Sequence, residues 1–352
     1  LEHSRLCSYT EKSQRYIRLR DDYVLPEEVA ALGLERPFRE LVELQNRTYH
    51  LLYERLREHV FAEHPELARD RSRRRTLEGW AKEDARYVTS LATEGQLGMT
   101  LNARSLEAMI RRLAGHPLAE VRQVAARLHE LALGVAPSLV CFTEPRAELL
   151  AAREELARLA AELLGREAER TLPGATGAVQ LLSATPEGDR TVAAALLHST
   201  SAEPWTTCLA RARALSDEER GRVVRAALGG LGVHDPPPRV FELVGCRFDV
   251  VLSAACFGQL KRHRMATQVV QPYHPSLGYT MPEAVARVGM RGEFQQVMAR
   301  STELYEQLAA RDPAAAGYAL TQAHRRRVLV AMNARELYHF ARLRQDGHAQ
   351  WD

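Results

Sequence analysis

Asn102-Ala103-Arg104-x-Leu106 returns as Asn333-Ala334-Arg335-x-Leu337, and this recurrence decides how the chain is read. Two more phrases recur in the same order. Tyr23-x-x-Pro26-Glu27 matches Tyr279-x-x-Pro282-Glu283, and Leu52-Tyr53-Glu54-x-Leu56 matches Leu304-Tyr305-Glu306-x-Leu308. The offsets are 256 (279 − 23), 252 (304 − 52) and 231 (333 − 102). Order is kept while spacing drifts, as in a duplicated unit whose first copy carries extra loop residues. The arginine-rich stretch from Ala68 to Arg75 is the natural place for them, read as a solvated loop.

A duplication also suits the length. The chain has 352 residues, more than the roughly 100 to 200 of a usual domain. Apolar residues make up 45% and charged residues 26%, a globular composition that excludes collagen-like and disordered chains. The 48 basic and 45 acidic residues leave a net charge of +3, which argues against a nucleic-acid partner held by overall charge. No stretch approaches the ~20 apolar residues of a membrane span and no basic-then-apolar leader opens the sequence, so a soluble cytoplasmic protein is expected. Cys7, Cys141, Cys208, Cys246 and Cys256 are odd in number and lack CxxC spacing, so they read as structural thiols.

The chain divides into repeat 1 (1–143), a linker (144–177) and repeat 2 (178–352). Pro145 to Glu169 forms one amphipathic pattern through Leu149, Leu150, Leu156, Leu159, Leu163 and Leu164, broken by Thr171-Leu-Pro-Gly-Ala-Thr-Gly177. Pro37 to Val60, Leu101 to Leu131, Glu293 to Ala310 and Met332 to Leu343 read as helices. Val179-Gln-Leu-Leu and Val240 to Val251 read as strands, with Pro236-Pro-Pro238 as a loop before the second. The expected fold is a predominantly helical α+β architecture: two tandem lobes, each with helices packed on a small sheet, joined by a helical linker.

Three polar clusters carry the chemistry. Gln259-Leu-Lys-Arg262-His263-Arg264 follows the apolar run Val250 to Phe257 and offers planar guanidinium donors to phosphate, although such a run alone more often marks an exposed helix end. Asn333 to Asp352 closes the chain with Arg335, His339, Arg344 and His348. Arg5-Leu-Cys-Ser-Tyr-Thr-Glu11-Lys-Ser13-Gln14-Arg15-Tyr16 alternates a carboxylate, a hydroxyl and a guanidinium, which an extended segment would point to one side.

These residues resemble the flavin-dependent thymidylate synthases (ThyX family), whose signature runs RHRxxSxNExSxRY. Arg262-His263-Arg264 matches its first half, with Gln259 just upstream, and Glu11-x-Ser13-x-Arg15-Tyr16 matches its second. Asn333 to Asp352 looks like the family's closing NARxL to LRxxxHAQWE pattern, and Glu83-Asp-Ala-Arg86-Tyr-Val like its strand-to-helix AR element. The two copies have decayed in complementary ways. Repeat 2 has Val270 and Pro272 in place of the glutamate and serine, and Gly317 in place of Arg86; repeat 1 has Leu113 and Pro117 opposite Arg344 and His348.

The resemblance implies a nucleotide site assembled between subunits. Mapped here, Gln259, Arg262 and Arg344 form one set, and Glu11, Ser13, Gln14, Arg15 and Arg86 the other, which makes one composite site per chain in a homodimer. Flavin adenine dinucleotide (FAD) would be held by Arg262, His263, Arg264, Asn333, Arg335, His339 and His348, with His3 and Glu11. The implied reaction is reductive methylation of dUMP to dTMP, with methylenetetrahydrofolate as methylene donor and NADPH as reductant. Arg344 would be the catalytic residue, stabilising negative charge on the pyrimidine. Ser13 has no histidine and carboxylate relay or GxSxG elbow, so it reads as a nucleotide contact, not a nucleophile. Methylation of another uridine nucleotide, a nucleotide-binding relative without catalysis, and a helical nucleic-acid binder using Arg71 to Arg75 and Arg325 to Arg327 are the alternatives. Leu1-Glu2-His3 resembles a phrase that normally lies well upstream of the triplet, so a segment is expected to be missing between Ser4 and Arg5, and residues beyond Asp352 are expected too.

Overall fold

The computed structural model describes residues 4–14, 16–17, 19–164, 178–232, 234–345 and 351. The fold is α+β and predominantly helical, with a two-stranded and a four-stranded sheet among the described residues.

The longest helix among the described residues, Glu35–Glu63, buries Phe38, Leu41, Val42, Gln45, Tyr49, Leu52 and Leu56, a stripe at spacings of three and four that turns one face inward. Helix Arg291–Ala309 buries Phe294, Val297, Met298, Ser301 and Leu308. Each of Phe38, Leu41, Val42, Gln45 and Leu52 falls 256 residues before its counterpart, the offset of the Tyr23 and Tyr279 phrases. The match at offset 252 is therefore one helical turn out of register, because leucine and tyrosine recur along a single helix face. The two helices meet where Gln45 Nε2 donates to Ser301 Oγ at 3.0 Å, with both residues fully buried. Since these are the same repeat position, a pseudo-twofold axis passes between them. It recurs at the bridge between Ser90 and Thr321, which is flanked by the reciprocal bonds Leu91 N to Leu320 O (2.9 Å) and Gln322 N to Thr89 O (3.0 Å).

One compact unit comprises Leu1–Leu172, Ser253–Phe257 and Pro272–Arg326, and the other Pro173–Leu252, Gly258–Gln271 and Arg327–Asp352. These units cut across the sequence repeats. The first holds the helical cores of both, in which Tyr49, Leu52 and Leu56 pack with Phe294, Val297 and Met298.

The first unit also holds the two-stranded sheet, β1 (Cys7–Glu11) antiparallel to β2 (Leu97–Leu101). The second holds β3 (Val179–Ala184), β4 (Gly245–Ser253), β5 (Thr267–Val270) and β6 (Arg325–Asn333) in the order β3-β4-β6-β5. Glu11 pairs with Leu97 and Ser8 with Thr100; Val270 pairs with Val328 and Thr267 with Ala331. Shifting the first pairs by the repeat offsets, 259 for β1 (270 − 11) and 231 for β2, gives the second pairs. Strand register thus reproduces the alignment that sets Val270 in the place of Glu11. Gly245 starts β4 against the end of β6: a Cβ there would lie 2.7 Å from the Met332 carbonyl oxygen and 3.1 Å from Asn333 Cα.

Several expected elements are corrected. Leu101 to Leu131 is not one helix but Ala103–Ala114 and Ala119–Leu133, broken at Gly115-His116-Pro117, because proline lacks the N–H and disfavours a helical residue before it. Val240 to Val251 is a 3₁₀ turn, Arg239–Leu243, followed by β4, since Pro238 sets the turn's entry. Arg86 closes helix Arg74–Ala85 and opens a 3₁₀ turn, so it does not join a strand to a helix. The linker contains helix Ala147–Leu164.

Candidate functional site

In the second unit the chain leaves helix Ala254–Leu260 through tight turns, with His263 N bonding Leu260 O at 3.0 Å and Ala266 N bonding His263 O at 3.2 Å. Gln268 of β5 clamps this turn, donating Nε2 to the carbonyls of Leu260 and His263, both at 3.1 Å. His263 is thereby held inward, 3% exposed, with its ring 4.7 Å from that of Phe340. Arg344, in the last turn of helix Ala334–Arg344, donates Nε to His263 Nε2 at 3.1 Å, Nη1 to Gln259 Oε1 at 2.9 Å and Nη2 to Gln259 O at 3.1 Å. A guanidinium only donates, so His263 Nε2 accepts and its proton sits on Nδ1. That proton faces Glu336 Oε1 at 3.2 Å, and Glu336 is 7% exposed. The result is a directed relay in which a buried carboxylate fixes an imidazole tautomer, which with Gln259 fixes a permanently charged arginine.

Of the residues expected here, Gln259, His263 and Arg344 are brought together. Arg262 is exposed, Arg264 is half-buried, and His339 is exposed with its ring 5.8 Å from that of His263. Asn333 is the helix cap, its Oδ1 accepting from Glu336 N at 2.9 Å. Arg335 turns elsewhere, donating to Pro237 O and Glu242 Oε1, each at 2.8 Å. Glu242 is held below the usual carboxylate range mainly by Arg239, with Arg335 adding to it. His348 lies outside the described residues. Glu336 and Gln268 were missed in the sequence. The signal for Glu336 was its place three residues after the Asn333 cap, where repeat 1 has Ser105; nothing local marks Gln268.

The first unit gathers part of the second set. A cavity of about 530 Å³ is lined by Glu11, Gln14, Arg20, Thr93 and Gly95 among others. Arg86 is 6% exposed and connects to Gln14 through its carbonyl: Thr89 Oγ1 donates to Arg86 O at 2.7 Å, Gln322 Nε2 donates to Thr89 Oγ1 at 3.1 Å, and the same nitrogen donates to Gln14 Oε1 at 2.6 Å. The expected extended segment does not continue from Glu11 through Ser13, and its third member, Arg15, lies outside the described residues. The strand ends at Glu11, and Ser13 O accepts from the amides of Tyr16 (3.1 Å) and Ile17 (3.3 Å), so the backbone turns. His3 and Arg15 lie outside the described residues.

In repeat 2 the counterparts of two residues lining this cavity pack on each other. Tyr273 stands for Gln14 and Arg326 for Gly95; the Arg326 guanidinium carbon lies 4.0 Å from the Tyr273 ring centre and 4.7 Å from that of Phe257. Burial pushes the Tyr273 phenol up, and Arg326 opposes this. Val270 and Gly317 stand at the positions that match Glu11 and Arg86.

No group of three or more His, Cys, Asp or Glu side chains among the described residues could hold a metal ion, and no described helix is long and apolar enough to cross a membrane. The sequence matches the family profile described as thymidylate synthase complementing protein over residues 1–138 and 180–352. It is 25% identical to a UPF0159 protein of Chlamydia muridarum, covering 100% of this chain and 69% of that relative. A UPF0159 protein of Chlamydia pneumoniae is 27% identical over 76% of this chain, which spans about half of that relative's length (51%). A flavin-dependent thymidylate synthase of Clostridium tetani is 32% identical over 36% of this chain and 54% of its own length. Matched on both sides of the linker and over most of its length, the chain belongs to the thymidylate synthase complementing protein (Thy1, ThyX) family.

Proposed function

We propose that the protein is an FAD-dependent thymidylate synthase that reductively methylates dUMP with methylenetetrahydrofolate and NADPH. The observation that carries this reading is the buried relay from Glu336 through His263 to Arg344, which presents a fixed positive charge beside Gln259. Such a charge suits a pyrimidine ring that gains electron density as C5 attacks the one-carbon unit, and a guanidinium keeps it at any physiological pH. Arg344 is assigned as the catalytic residue; Gln259 and Arg262 are assigned to the nucleotide.

The donor set of the second unit fits FAD chemically. Two guanidinium groups, Arg262 and Arg264, follow one tight turn, with the exposed imidazole of His339 on the neighbouring helix, which suits a diphosphate. Arg262, Arg264, His339 and the Asn333 helix start would hold it, and His348 is assigned with them; His263 is assigned there too, its ring 5.8 Å from that of His339. FAD would supply the hydride chemistry. Glu11, Ser13, Gln14, Arg15 and Arg86 are assigned to the same nucleotide from repeat 1, with His3 and Glu11 near the flavin. The two chains of a homodimer supply both sets, which gives one productive site per chain.

The test is the absorption spectrum of the purified protein with and without dUMP, followed by single turnover with the folate. Flavin bands that shift with dUMP and product dTMP support the reading; a folded protein that takes up no FAD refutes it. A flavin protein that turns over another uridine nucleotide and leaves dUMP untouched would transfer the reading to that substrate.

A further inference from the structure

The bond chain beside Gln14 has a direction that can be worked out from its far end. The Arg86 carbonyl can only accept, so Thr89 Oγ1, 2.7 Å away, must spend its single proton there. Thr89 Oγ1 can then only accept from Gln322, so the nitrogen of the Gln322 amide faces it at 3.1 Å. The second proton of that nitrogen goes to Gln14 at 2.6 Å, which therefore offers its oxygen. Gln14 is left with both N–H donors for the cavity that it lines.

We propose that Gln322 is a positioning residue that fixes the amide of Gln14 as a hydrogen-bond donor toward an acceptor oxygen of a pyrimidine nucleotide, an inference that rests on the dUMP reading of this site. The pseudo-symmetric positions supply the contrast. Across the axis, Leu320 replaces Thr89, Leu91 replaces Gln322 and Tyr273 replaces Gln14, while the backbone bonds on both sides remain, at 2.9 and 3.0 Å. The fold tolerates leucine at these positions, so architecture does not require the polar chain. All three members are present beside the cavity, and all three are gone on the side where Arg326 stacks on Tyr273.

Calorimetric titration of the full chain with dUMP tests this, using wild type, Gln322→Leu and Gln322→Glu, each also in a Gln14→Ala background, with thermal unfolding in parallel. Gln322→Leu should weaken binding about tenfold, the scale of one orienting hydrogen bond. Gln322→Glu keeps the size but only accepts, so it turns the Gln14 amide round to present its carbonyl, and binding should fall at least as far as with leucine. Neither change should add to the loss in Gln14→Ala, because the effect passes through that side chain. Unchanged affinity in both Gln322 variants of a binding-competent protein, or an equal further loss without Gln14, overturns the positioning role alone. Wild-type protein that fails to bind dUMP overturns the nucleotide reading and this inference with it.

Discussion

Replacing Glu336 tests the relay at its least visible member. Its carboxylate accepts from the imidazole Nδ1–H of His263 across 3.2 Å, and the two side chains are 8% and 2% exposed. Glu336→Ala would leave that N–H buried without an acceptor. Leaving a buried donor without its acceptor in this way costs about 1–3 kcal/mol. Glu336→Gln keeps an oxygen for the N–H and loses only the charge, so the bond drops from the roughly 1.5–3 kcal/mol of a charged acceptor to about 0.5–1.5 kcal/mol. Denaturant unfolding should therefore rank wild type, glutamine and alanine in that order, with about 1 kcal/mol separating the first two. The ¹⁵N shifts of His263 should report a single Nδ1–H tautomer in wild type and a mixture in Glu336→Ala. Equal stability of alanine and glutamine, or an Nε2–H tautomer in wild type, would refute the reasoning.

Gly95→Arg places on the open side the residue that fills the other side: a Cβ there meets nothing within 4 Å, so dUMP binding should be lost by titration with the melting temperature unchanged, and unimpaired binding would remove the cavity from the nucleotide site. Gly245→Ala drives a Cβ into the backbone of Met332 and Asn333 and should cost about 1–3 kcal/mol in denaturant unfolding, the range for overpacking; wild-type stability would mean that β4 can shift away. Burial lowers the pKa of His324 to about 4, with Nδ1 accepting from Thr321 N and Oγ1, both at 3.0 Å. The folded state therefore binds fewer protons than the unfolded state between about pH 6.5 and 4; the contribution is intact above that window and falls by about 1.4 kcal/mol per unit on acidification, roughly 3 kcal/mol in all. His324→Gln should flatten that slope in pH-dependent unfolding, and an unaltered slope would contradict the assignment.

What could be read from the sequence was whatever lies within one segment. The Glu35–Glu63 and Arg291–Ala309 helices are legible because burial on one face imposes a period on neighbouring residues. The helix break at Pro117 was missed because the apolar period continues on both sides of it, through Leu113 and Val121. The RHR triplet and Arg344 were legible as residue types, but their coupling was not, since Arg344 reaches His263 across 81 positions and Glu336 reaches it across 73. Gln322 shows the limit most clearly. In the sequence it is one polar residue in a run whose counterpart is Leu91, and a single exchange of that kind could be surface drift. Only when Thr89, Gln14 and the Arg86 carbonyl are seen to meet around it do the three separate exchanges, at Leu320, Leu91 and Tyr273, fall on the members of one hydrogen-bond chain. On that side Arg326 stacks on Tyr273 instead. The asymmetry between the two repeats therefore lies in connected sets of residues, and the single exchanges Pro272→Ser or Gly317→Arg should add no dUMP binding in the same titration.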